Sequence, residues 1–199
     1  GLLLARIVGT DSMRYIFLLW NLILAAVPLF LAWWLVVRVR KHGWLKWQQL
    51  GLSALFLGFL PNSFYLITDF VHLRETNEAS LLYDVVLLAS FMWSGLVLGY
   101  ISLFIIHDEL KKRLNDRQAM SIVVATFLSV SFAIYLGRYT RWNTWDILMQ
   151  PFGLLFDVSD RFVNPSVHTD TYVTTAILFL IITSLYMVVY KAINATRHL

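Results

Sequence analysis

Cysteine is absent from the 199 residues, so neither a disulfide framework nor a thiolate metal site is open to this chain. A bound divalent metal would have to be held by histidine and carboxylate. Acidic residues are also few, 12 against 16 Lys and Arg, which leaves a formal net charge of +4. In a soluble protein that excess could point to nucleic acid. Here the basic residues collect in short segments between apolar runs, a pattern that orients a membrane protein and removes nucleic acid from the expected partners. His-Glu-x-x-His, Gly-x-Ser-x-Gly and a phosphate-cradling glycine loop are all missing, and so are a complete signal peptide, a lipidation motif and an internal repeat.

What is abundant is apolar surface. Hydrophobic residues make up 59% of the chain and the mean hydropathy is +0.67, more than a soluble domain of this length can hide, so membrane lipids must cover the remainder. A helix needs about 20 apolar residues to cross some 30 Å of hydrocarbon. Five runs qualify: 15–37, 49–70, 81–106, 120–137 and 171–190. The expected fold is all-α, a polytopic transmembrane helix bundle forming one domain over 1–199. Between the last two spans, 138–169 holds an amphipathic run from Pro151 to Asn164 that is too short and too charged to span, and is expected to lie in the interface or re-enter. Trp33, Trp34, Trp44, Trp47, Trp142 and Trp145 sit near the ends of apolar runs, where amphipathic rings favour the headgroup zone.

Lys and Arg divide unevenly between alternate loops. Arg38, Arg40, Lys41, Lys46, Lys111, Lys112, Arg113, Arg117, Lys191 and Arg197 fall on one side, and Arg6, Arg14, Arg74, Arg138, Arg141 and Arg161 on the other. The positive-inside rule then puts the C-terminus in the cytoplasm and the 71–80 and 138–169 segments outside. The opening Gly-Leu-Leu-Leu-Ala reads as the tail of an earlier apolar helix, which would make six spans in a longer protein. Asn194-Ala-Thr196 matches a glycosylation pattern, but its expected cytoplasmic side argues against use.

Polar groups within a membrane are costly and are the first place to look for function. Pro61 should kink the second span. After it, Asn62, Tyr65, Asp69 and His72 follow at spacings that share one face if the helix continues. Tyr83 and Asp84 open the third span at the same level, and Asn21 lies roughly 9 Å into the first. Beyond the fourth span come Arg138, Arg141, Trp142, Asn143, Trp145 and Asp146.

The stretches Leu60–His72 and Gly137–Asp146, with Trp20-Asn21 and Tyr83-Asp84, resemble the signatures of an uncharacterised bacterial membrane-protein family catalogued as domain of unknown function thirteen sixty-one. The resemblance spans nearly the whole chain. It implies the bacterial cytoplasmic membrane and an additional N-terminal helix, and supplies no activity, ligand or catalytic residue.

Three readings of these residues stand side by side. Asp69, Asp84, Arg138 and Arg141 can be ion pairs that tie helix ends together, with Asn21 and Asn62 making interhelical hydrogen bonds and Asn62 capping a helix restarted after Pro61. Alternatively, Arg138 and Arg141 hold an anionic or lipid-linked ligand for binding or transport, Trp142 and Trp145 pack against its chain or sugar, and Asn62, Tyr65, Asp84, Asn143 and Asp146 complete the site. The third is a membrane-embedded hydrolase or transferase on a lipid-linked substrate in which Asp69 and His72 are catalytic, as a histidine base oriented by the carboxylate or sharing a divalent metal with Asp84. His42, His107, His168 and His198 fall in loops or at span ends, where solvated histidines are ordinary.

Overall fold

Each of the five apolar runs forms a helix in the computed structural model, which describes residues 1–73 and 80–196. The chain is all-helical among the described residues and divides into two compact units, Gly1–Glu109 and Leu110–Leu199. The first holds α1 (Leu2–Thr10), α2 (Phe17–His42), α3 (Trp47–Tyr65) with a 3-10 helix over Leu66–His72, and α4, which runs from Leu81 to Leu110. The second holds α5 (Asp116–Tyr139), the short α6 (Asp146–Met149), α7 (Pro151–Val163) and α8 (Thr169–Thr196). Arg74 and Arg197, counted among the loop charges, lie outside the described residues, as do His198 and the side chains of the Asn194 and Thr196 glycosylation pattern.

The spanning helices outrun the apolar cores that mark them. At 26 residues α2 is about 39 Å long, longer than the hydrocarbon layer, because basic residues continue its last turn against the negative end of the helix dipole. Gly43 then turns the chain at φ 80, on the side of the Ramachandran map where a side chain is disfavoured. A capping box starts α5: Asn115 Oδ1 accepts from the Gln118 amide at 2.8 Å while Gln118 Oε1 accepts from the Asn115 amide.

In the first unit, α4 comes against α3 through two glycines four residues apart. A Cβ on Gly95 would stand 2.5 Å from the Ser63 carbonyl oxygen, and one on Gly99 2.8 Å from the Phe64 ring. Small residues let helix backbones approach this closely where lipid offers no competing hydrophobic drive. Ser63, fully buried, donates to the Ala25 carbonyl of α2 at 2.7 Å, one residue from the Leu24 carbonyl that Pro28 deprives of its helical donor.

The break expected at Pro61 does not form. The α-helix runs on to Tyr65, and the Asn62 side-chain amide donates to the Phe59 carbonyl at 3.0 Å rather than capping a new helix. The helix tightens instead at Leu66. A 3-10 helix winds three residues per turn, so Asp69 and His72 come into line with each other and rotate away from the α-helical line of Asn62 and Tyr65.

In the second unit, α5 packs on α8 by a 3-4 spacing of buried residues: Ala119, Val123, Phe127, Val130 and Ile134 against Leu178, Ile182 and Tyr186. The Phe127 and Tyr186 rings meet edge-on at 5.1 Å. Pro151 stands at the first position of α7, where its missing N–H costs nothing. That helix is inverted relative to a soluble one. Phe152 and Phe156 are 85% and 78% exposed while Arg161 is 5% exposed, so the apolar face points away from the protein. This is the pattern of a helix that meets lipid.

Candidate functional site

The polar residues of the first unit are largely spoken for. Asp84, in the first turn of α4, receives Arg6 Nε at 2.8 Å and the Tyr15 hydroxyl at 3.2 Å, and all three residues are no more than 2% exposed. The Arg6 guanidinium also lies 5.6 Å from the Tyr15 ring. Burial, then the Asp84 carboxylate, push the Tyr15 hydroxyl above its ordinary range. In the sequence Arg6 stands out only as a loop charge. The structure makes it the cation of Asp84, in place of the Arg138 and Arg141 considered there.

Asp69 is 1% exposed and accepts from the Asn21 side-chain amide at 3.1 Å, so these two expected residues do meet. His72 is exposed, edge-on to the Phe17 ring at 5.0 Å, and its carbonyl accepts from Arg14 at 3.3 Å. Tyr65 is half-buried at the end of α3, where its carbonyl receives the Thr68 hydroxyl. Among the described residues no three His, Asp or Glu side chains gather as a metal-holding group, so Asp69, His72 and Asp84 do not form the metal set. The physical reason is that Asp84 is turned toward α1 and consumed there. His107 departs from expectation too: it is buried at 1% exposure within α4 rather than solvated.

In the second unit α5 ends at an unusual turn. The Leu136 carbonyl collects three donors, the Thr140 amide at 3.1 Å, the Thr140 hydroxyl at 2.7 Å and the Trp142 amide at 3.2 Å. Between them Arg141 is held at φ 62, the left-handed region that non-glycine residues rarely enter. Its side chain is exposed and makes no ion pair among the described residues. Arg138 is half-buried in the last turn of α5. Asn143 and Asp146 serve the turn itself, the Asp146 carboxylate accepting the Asn143 amide at 2.6 Å and its side-chain amide at 3.3 Å.

Trp142 is half-buried with its ring over Gly153, and its indole N–H donates to Asp157 Oδ2 at 2.7 Å. Asp157 also pairs with Arg161, whose guanidinium lies 5.8 Å from the Tyr135 ring and whose Nε has no hydrogen-bond partner among the described residues. Tyr172 from α8 donates to the Arg161 carbonyl at 2.7 Å. Arg161 and Asp157 were missed as site residues. Their only sequence signal is a charged pair at i, i+4 within an amphipathic run.

Helices of this length and apolarity, with charged residues confined to their ends or paired inside, define a multi-pass helical membrane protein. The chain belongs to the family described as protein of unknown function (DUF1361), whose profile matches residues 20–188. No curated protein and no solved structure matches it.

Proposed function

We propose that this is a binding or transport protein of the bacterial cytoplasmic membrane that takes an anionic, lipid-linked ligand at the turn after α5, with Arg141 as the recognising cation. The reading rests chiefly on Arg141. A non-glycine residue at φ 62 costs about 1–2 kcal/mol that glycine would avoid, and strain of this kind gathers at functional positions. The hydrogen bonds onto the Leu136 carbonyl hold that conformation, and it presents an exposed guanidinium with no ion pair among the described residues. A forked guanidinium suits phosphate and carboxylate, and the exposed Trp145 ring, four residues further along the chain, suits an acyl chain or sugar.

Native mass spectra of the full chain, gently solubilised, test this. A retained anionic species should persist in wild type and Arg141→Lys and disappear in Arg141→Ala; identical spectra from all three would overturn the reading. The distribution of loop charges supports a cytoplasmic C-terminus by the positive-inside rule. Reporters fused after Leu114 and after Pro165 should therefore report cytoplasmic and extracytoplasmic locations respectively.

A further inference from the structure

Between α2 and α3, near the Gly43 turn, lies an apolar groove of about 330 Å³, walled by Trp34 and Arg38 on one side and by Trp47, Gly51, Leu52 and Leu55 on the other. Its size falls within the ~300–1,000 Å³ of ordinary ligand sites. Gly51 forms part of the lining and has no heavy atom within 4 Å of where its Cβ would stand, so neighbouring protein does not demand glycine there. Glycine in a helix is disfavoured relative to alanine, and here it leaves the groove open.

Charge sets the occupant. Arg40 is paired with Glu109 at 3.0 Å, but Arg38 makes no ion pair among the described residues and lies 5.9 Å from the Trp34 ring at the groove. No Asp or Glu occurs between Asp11 and Asp69, while Arg38, Arg40, Lys41 and Lys46 fall within nine positions. Trp47, the first residue of α3, lines the groove, and among the described residues that helix start has neither a side-chain cap nor an acidic residue in its first turn. The positive end of a 19-residue helix and an arginine thus converge on an apolar channel flanked by two indoles.

We propose that this groove binds one anionic phospholipid, with its phosphate on Arg38 and the α3 N-terminus and an acyl chain along Gly51, Leu52 and Leu55. Basic pockets between membrane helices take anionic headgroups in this way, and the paired tryptophans fit the headgroup–acyl boundary.

The test uses the full chain in mild detergent, stripped of lipid and then titrated with phosphatidylglycerol, phosphatidylcholine or inorganic phosphate. Native mass spectra and thermal unfolding are read together. Wild type should retain one phosphatidylglycerol and unfold at a higher temperature with it, but not with either comparator. Losing the charged hydrogen bond in Arg38→Gln should weaken retention about ten-fold, and Gly51→Phe, which fills the groove, should abolish it. Arg38→Gln adds no bulk, so it decides the matter whether or not Gly51→Phe folds. Equal stabilisation by phosphatidylcholine would overturn the anion recognition, and an equal effect of inorganic phosphate would overturn the lipid. Retention unchanged by Arg38→Gln would overturn the site. Arg141→Ala should leave phosphatidylglycerol retention here intact, which separates this site from the one after α5.

Discussion

Arg6 Nε stands 2.8 Å from Asp84 Oδ1 with both side chains 1% exposed, a pair 78 residues apart in sequence that ties α1 to the start of α4. Two charges withdrawn from solvent this fully stabilise one another chiefly by preventing either from being alone. The Tyr15 hydroxyl and Arg6 Nη2 donate to the other carboxylate oxygen, so both oxygens of Asp84 are engaged.

Removing one partner should therefore cost more than removing both. Arg6→Ala or Asp84→Asn is expected to destabilise the protein by about 3–5 kcal/mol, while the double replacement Arg6→Met, Asp84→Leu recovers most of it. Denaturant unfolding of the four proteins in one detergent checks this. A double variant less stable than either single one would show that the pair is not coupled.

The Gly95 approach should be equally sensitive. Its added Cβ would meet backbone oxygen at 2.5 Å, which cannot rotate aside, so Gly95→Ala is expected to cost about 1–3 kcal/mol. Gly51→Ala meets nothing and should be neutral or stabilising by up to about 1 kcal/mol. Thermal midpoints of the two variants, compared in the same preparation, decide it.

Arg141→Gly separates stability from function. Releasing the strained backbone should raise stability by about 1 kcal/mol, while the proposed anionic ligand is lost with the guanidinium. A variant that is both less stable and still loaded would contradict the assignment of Arg141 as the recognising cation.

Two surface pairs give pH effects of opposite sign. The hydrogen bond from His168 at 2.8 Å, then that from Asn164, hold the Asp160 carboxyl below its ordinary value of 3.8. Its contribution at the α7–α8 turn is present above that value and is lost as pH falls through the lowered one. Lys111 is raised from 10.5, first by its hydrogen bond to the Tyr190 hydroxyl, so its contribution is present below 10.5 and lost as pH rises through the raised value. Unfolding midpoints measured across pH should lose the acid limb in Asp160→Asn and the alkaline limb in Tyr190→Phe.

Much of the architecture was legible in the residues. The five spans lie within a few residues of their helices because length and apolarity alone decide what can cross a bilayer. The candidate site was legible only in part. Asp69 meets Asn21, both placed near one level of the membrane by helix length, whereas Asn143 and Asp146, expected to face a ligand, bond to each other within the turn. The shared face of Asn62, Tyr65, Asp69 and His72 is spread, with Asp69 and His72 turned away from the other two, because the 3-10 helix over Leu66–His72 changes the angular step.

The sequence by itself determined that the chain lives in lipid, how many times it can cross, and where its charges gather. It could do so because each spanning helix satisfies its own backbone without help from the rest of the chain. Only the tertiary structure decided which partner each charge takes. That Asp84 takes Arg6, that Trp142 and Arg161 share Asp157, and that Arg38 remains at an apolar groove are through-space facts. A buried charge is satisfied by whatever donor packing brings within about 3 Å, and no spacing along the chain records that distance.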